Sequence, residues 1–242
     1  MCQSFGMGRV LVTVYVIRIQ WEPRNEQDVG MVRVKICGIT RPTDAVAAAD
    51  AGADAIGLLF AKSPRQITVA RARQIIAALP PWVARVGVFV NAKSSAIERA
   101  VEMLALTEVQ LHGDESPPQK TGLTAVRIIK ALRVRDRSFI DDVARWRDAG
   151  VAGILFDAFS PTVRGGAGRR FDWDLVVQAR KCGGLDDAPP IILAGGLTPQ
   201  NIRAAIRTVR PWGVDVSSGV ESGPGIKSVE MIERFIAAAQ SA

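Results

Sequence analysis

Strand-like and helix-like apolar patterns alternate eight times between residues 31 and 239, and no other feature limits the fold of this chain so tightly. Residues 32–36 read as a strand. Pro42 then opens a helix filled by Ala45, Val46, Ala48 and Ala49 and closed at Gly52. Further strands are predicted at 54–60, 85–90, 108–111, 125–131, 151–156, 190–193 and 213–216. The helices between and after them are predicted at 69–79, 94–106, 116–121, 136–149, 171–181, 199–209 and 228–239. Parallel neighbours need a connection long enough to return to the starting edge, so this alternation implies parallel strands with helical crossovers. Eight such units in about 210 residues predict a closed eight-stranded parallel (β/α)8 barrel, the TIM-barrel architecture. The competing doubly wound open sheet carries Gly-x-Gly-x-x-Gly after its first strand, and here Cys37-Gly-Ile-Thr40 stands in that place.

The first thirty residues do not share the pattern. Residues 10–19 alternate like a strand and 21–28 form a polar break before Met31. The expectation is an extension, 1–30, outside a catalytic barrel domain of 31–242, with Met31 as the working start; an added edge strand is the plainer alternative. Thr13 and Arg18 interrupt the apolar run, acidic residues follow it, and no small-residue cleavage pattern is present, so a secretory signal is not expected. No stretch approaches the roughly twenty apolar residues of a membrane span. Cys2, Cys37 and Cys182 are odd in number and far apart, which argues against a disulfide framework and for a reducing, cytoplasmic setting. A net charge of +7 suits an anionic partner: nucleic acid, an acidic membrane surface or a phosphorylated metabolite. Only 6% of residues are aromatic and no basic stripe is interleaved with them, so nucleic acid is not the expected partner. Arg133, Arg135 and Arg137 read as a solvated helix face.

In such a barrel, chemistry belongs on the loops that leave the carboxyl ends of the strands. Cys37 ends the first strand, beside Gly38. Period two places Lys35 and Cys37 toward the barrel axis, and closure makes the first and eighth strands neighbours, so Lys35 and Asp215 are expected to pair inside the barrel. The ammonium is expected to favour the thiolate of Cys37, although a cysteine taken alone is more often a small buried hydrophobe. In the sixth strand the same period turns Gly153, Leu155 and Asp157 inward and Ile154 and Phe156 toward the helices. A carboxyl at a partly dry mouth is expected to be desolvated and to suit a general acid; capping of the next loop is the structural alternative. Gly195 and Gly196 with Ser217, Ser218 and Gly219 form a candidate phosphate cradle on the loops after strands seven and eight, or else two tight turns. Gly165-Gly-Ala-Gly168 is a further contributor or a lid. Arg65, in Lys62-Ser-Pro-Arg65, offers a planar fork for a carboxylate or phosphate, or a surface ion pair. Gln110 and His112 are candidates for substrate polar groups. His112 is the one histidine, and no zinc-type Cys/His spacing occurs, so no metal site is expected.

Taken together, Lys35-Ile-Cys37-Gly-Ile-Thr40, Lys62-Ser-Pro-Arg65, Val109-Gln-Leu-His112-Gly, Phe156-Asp157, the glycine loop before Phe171-Asp-Trp173, Leu193-Ala-Gly-Gly196-Leu and Gly213-Val-Asp-Val-Ser-Ser-Gly-Val-Glu221 resemble the phosphoribosylanthranilate isomerase family of tryptophan biosynthesis. The likeness runs from about Met31 to the end, and Ala167 departs from it where the family commonly has Thr. The resemblance implies an Amadori rearrangement of N-(5-phosphoribosyl)anthranilate without metal or organic cofactor, by a monomer or a homodimer. It implies Cys37 as general base, Asp157 as general acid, Arg65 on the anthranilate carboxylate, the two glycine and serine loops on the phosphate, and Asp215, Gln110 and His112 on polar groups of the sugar and aniline. A related barrel isomerase of histidine biosynthesis looks like one with aspartate in place of Cys37. A non-catalytic phosphate-ligand barrel would need neither Cys37 nor Asp157.

Overall fold

The structure, a computed structural model, describes residues 31–117, 126–158 and 172–242. The expected extension 1–30, the glycine loop 165–168 and most of the helix expected at 116–121 lie outside these residues.

Eight parallel strands run in chain order: β1 (Arg33–Cys37), β2 (Ala55–Leu59), β3 (Ala84–Phe89), β4 (Glu108–Leu111), β5 (Arg127–Val134), β6 (Gly153–Ala158), β7 (Ile191–Leu193) and β8 (Gly213–Val216). Each is hydrogen-bonded to the next, and β8 pairs back onto β1 with Lys35 opposite Asp215, which closes the barrel as expected. Helices α1 (Pro42–Asp50), α2 (Val69–Ala77), α3 (Ser94–Leu104), α4 (Phe139–Asp148), α5 (Asp174–Lys181), α6 (Ile202–Val209) and α7 (Val229–Gln240) cover its outside. None of the described helices is long and apolar enough to cross a membrane.

Local chemistry sets the helix ends. Pro42 begins α1, where its missing N–H costs nothing. The Thr68 and Ser228 hydroxyls accept from the amides of Arg71 and Met231 and so cap α2 and α7. Helix α3 stops two residues short of the expected end because Ala105 takes a left-handed conformation, φ 46°.

Alternation along each strand separates two apolar regions. Ile154 and Phe156 belong to the large layer between barrel and helices, where Phe156 meets Phe139 of α4 edge to face at 5.2 Å. Leu155 faces inward and packs with Ile129, Ala131, Ile192 and Ala194 inside the barrel. The inward set of β6 therefore delivers Asp157 to the carboxyl-terminal mouth.

Two expectations need correction. Strand β5 runs three residues past the predicted end, because β6 continues to Ala158 and gives it partners as far as Val134. Arg133 consequently lies in a strand, donating to Asp114 at 3.1 Å, and Arg135 and Arg137 lie between β5 and α4, so these arginines form no helix face. After β8 the chain also forms a small hairpin, β9 (Glu221–Gly223) and β10 (Ile226–Lys227), that the apolar pattern did not predict.

Candidate active site

Cys37, the last residue of β1, is half-buried and points into a cavity at the carboxyl-terminal mouth. Two residues earlier, Lys35 donates to Asp215 at 2.8 Å; both side chains are less than a tenth exposed, and the expected pair across the closure seam is present. Burial acts to lower the Lys35 pKa, but Asp215 and Cys37 together outweigh it, and the ammonium is held above its ordinary value. The Lys35 ammonium favours the Cys37 thiolate, as expected, and Lys227 adds to it. Burial is the larger effect and Asp215 reinforces it, so the thiol nevertheless stands above its ordinary pKa.

Room for this group comes from β2. A Cβ at Gly57 would stand 2.6 Å from the Cys37 sulfur and 3.1 Å from the Lys35 nitrogen, so any larger residue there would displace both. Sequence reading passed over Gly57, although a glycine in the middle of the apolar strand Ala55-Ile-Gly-Leu-Leu59 is the recognised mark of a close approach.

Asp157 lines the same cavity from β6. The carboxyl is buried, as expected, and it is also partnered: Oδ1 accepts the Ala158 amide at 2.8 Å and Oδ2 meets His112 Nε2 at 3.0 Å. On the other side of the ring, Gln110 Nε2 lies 2.8 Å from His112 Nδ1. With the amide donating to Nδ1, it is Nε2 that carries the N–H donated to Asp157. Gln110 is fully buried and does not line the cavity. It stands behind His112, which does line the cavity.

Between β6 and β1 around the barrel, the loop after β7 presents Gly195 and Gly196, and the loop after β8 presents Ser217, Ser218 and Gly219, all on the cavity wall. Both glycines of the first loop have left-handed backbone, φ 81° and 66°, and a Cβ at Gly195 would stand 2.5 Å from the Ala158 amide nitrogen. A Cβ at Gly219 would collide with the Leu197 carbonyl, so the two loops can meet only without side chains there. Arg65 and Asp215 complete the lining. The cavity thus gathers every expected site residue except Gln110.

Residues 34–238 match the sequence model of the family described as N-(5'phosphoribosyl)anthranilate (PRA) isomerase. The chain belongs to this family. It is 48% identical over 207 residues to the N-(5'-phosphoribosyl)anthranilate isomerase of Geobacter sulfurreducens, a match covering 85% of this chain and 97% of the relative. The phosphoribosylanthranilate isomerase of Thermotoga maritima superposes with a TM-score of 0.78 at 41% identity, covering 88% of this chain and all of that one. A phosphoribosylanthranilate isomerase solved with reduced 1-(o-carboxyphenylamino)-1-deoxyribulose 5-phosphate superposes at 0.75 with 40% identity, over the same shares.

This isomerase also has a part of its site that sequence reading missed. Arg65 is not simply aimed at the cavity. Its Nε and Nη2 donate to the two oxygens of Glu221, each at 2.7 Å, and Glu221 is shared with Lys227. The signal available was weak: Glu221 closed one of the family motifs, and Lys227 is an isolated basic residue after Pro-Gly.

Proposed function

We propose that the protein catalyses the Amadori rearrangement of N-(5-phosphoribosyl)anthranilate to 1-(o-carboxyphenylamino)-1-deoxyribulose 5-phosphate in tryptophan biosynthesis, with Asp157 as general acid and Cys37 as general base. One observation carries this reading. A thiol and a carboxyl, on the non-adjacent strands β1 and β6, line one cavity with an arginine and two glycine-rich loops. The phosphate occupies the loops of Gly195, Gly196, Ser217, Ser218 and Gly219, where backbone amides approach an anion closely. The anthranilate carboxylate lies on Arg65.

Asp157 gives its proton to the ribose ring oxygen, the bond from that oxygen to C1 breaks, and the nitrogen lone pair forms a cationic imine. The carboxylate left behind is received by two donors already in place, the Ala158 amide and His112 Nε2–H. Cys37, as thiolate, then removes the proton from C2. The electrons move to the imine nitrogen and give an enolamine. Protonation at C1 and loss of the C2 hydroxyl proton yield the ketone, so no proton is gained or lost overall. A thiolate whose parent thiol is raised by burial is a stronger base than an exposed one, at the cost of being less populated at neutral pH. Asp215 faces the sugar hydroxyls from the cavity floor while its other task is to hold Lys35.

The test is turnover of freshly prepared phosphoribosylanthranilate, followed by loss of its anthranilate-type fluorescence. Cys37→Ser and Asp157→Asn should each lower kcat by about 10³-fold or more with the fold retained by circular dichroism. Binding of a phosphorylated ligand without turnover by the wild-type protein would overturn the reading in favour of a phosphate-ligand binding barrel.

A further inference from the structure

Behind the wall of the cavity Arg65 is tied into a buried ion network whose other members, Glu221 and Lys227, the chemistry above does not use. Glu221, the first residue of β9, has a side chain only 5% exposed. It receives the Arg65 fork through both carboxylate oxygens and, on Oε1, the Lys227 ammonium at 2.8 Å. Lys227 is fully buried and also donates to the Ser217 carbonyl at 3.0 Å. The hairpin carrying both residues is fastened to the loop after β1 and to α1: the Thr40 hydroxyl donates to the Gly225 carbonyl at 2.5 Å, and Asp44 of α1 accepts the Lys227 amide at 3.2 Å. Arg65 and Ser217 line the cavity, whereas Glu221 and Lys227 do not.

Two physical consequences follow from this arrangement. Two cations share one carboxylate, so the network keeps one surplus positive charge beside the cavity. Burying unbalanced charge is costly, and an arrangement selected for stability alone would balance it or replace it with apolar side chains. A substrate anion supplies the balance. Glu221 also takes Nε and the inner N–H of Nη2, which fixes the guanidinium plane. The end of the fork, formed by Nη1 and the outer N–H of Nη2, donates to nothing among the described residues and suits a second carboxylate. Burial acts to raise the Glu221 pKa, but Arg65 and Lys227 outweigh it, and the carboxyl stays ionised below the ordinary range.

We propose that Glu221, held by Lys227, is a positioning residue that aims Arg65 at the carboxylate of the substrate and ties this grip to the phosphate loop through the Ser217 carbonyl. The proposal rests on the reading of Arg65 as the carboxylate grip. It assigns specificity for the carboxylated aniline to a residue that never touches substrate.

The experiment compares kcat and KM for phosphoribosylanthranilate and for N-(5-phosphoribosyl)aniline, which lacks the carboxylate. Glu221→Gln should lower kcat/KM for the anthranilate substrate by about 10- to 100-fold, mainly through KM, and for the aniline substrate by less than about threefold. Arg65→Met should show the same selectivity, and Glu221→Gln added to it should cost nothing more. Equal losses on both substrates with Glu221→Gln, or none, overturn the proposal. If Arg65→Met also loses equally on both, the reading of Arg65 falls with it. If Arg65→Met is selective and Glu221→Gln is not, the grip stands and only the positioning role falls. Should the Gln variant not fold, Glu221→Asp keeps the charge and shortens its reach: a smaller selective loss supports the proposal, and unchanged selectivity overturns it.

Discussion

Two of the buried lysine–carboxylate pairs among the described residues share one chemistry and differ in placement. Lys35 donates to Asp215 inside the barrel, just below Cys37. Lys130 donates to Glu115 at 2.6 Å and to the Gly113 carbonyl at 2.8 Å on the outer side of β5, with its ammonium 5.2 Å from the centre of the Trp146 ring in α4. Burial acts to lower the pKa of both lysines. For Lys35 its neighbours win and the value rises; for Lys130 burial wins over Glu115 and the value falls. The outer pair fastens the loop after β4 to its neighbouring strand and is not among the groups that act on Cys37. The inner pair sets the field at a thiol. What separates a structural ion pair from a functional one here is the third group each ammonium faces.

Lys35→Met should produce the largest effect. It leaves Asp215 buried without its cation and removes the positive charge beside Cys37, so kcat/KM should fall by roughly 10²- to 10³-fold, and the unfolding free energy by roughly 3–5 kcal/mol. Lys130→Met comes next and should separate the two properties. It should cost about 2 kcal/mol in urea unfolding, because Glu115 is more exposed and can turn toward water. Its kcat/KM should fall by less than about tenfold, short of the roughly 100-fold expected when a catalytic group is misplaced by an ångström. An Lys130→Met enzyme as inactive as Lys35→Met would erase the distinction between the pairs.

These two sites were unequally legible in the sequence. The Lys35–Asp215 pair followed from two rules alone, period two along β1 and the adjacency of first and last strands in a closed barrel, and the registers agree. Leu155 and Asp157 were oriented by the same period. The Lys130–Glu115 pair was not foreseen because it joins a strand to an irregular loop, where no periodicity says which way a side chain points. The Glu221–Lys227 hairpin escaped for a related reason: strands of three and two residues around Pro-Gly carry too few side chains to show alternation. The net direction of the Cys37 shift was hidden at another level. Sequence shows that a lysine lies two residues from the thiol and that Asp215 is set to pair with it, but not how deeply the sulfur is buried.

The smallest predicted effect is a displacement along the pH axis, and it discriminates between the pairs most directly. The proposed reaction needs the Cys37 thiolate, so kcat/KM should rise with pH through the thiol pKa, which burial places above the ordinary cysteine value. The charged groups acting on the sulfur are Lys35 and Lys227, which lower that pKa, and Asp215, which raises it. Asp215→Asn deletes the one negative charge in this set, so the thiol should ionise more easily and the rising limb should move to lower pH, whatever happens to the maximal rate. Glu115→Gln removes the equivalent carboxylate from the outer pair and should leave the limb where it is, since Glu115 does not act on Cys37. The pH profile of kcat/KM for the two variants beside wild type measures both shifts in one series. A limb that stays fixed in Asp215→Asn would mean that the titrating base is not Cys37, and movement in Glu115→Gln would mean that the outer pair reaches the site through the loop it fastens.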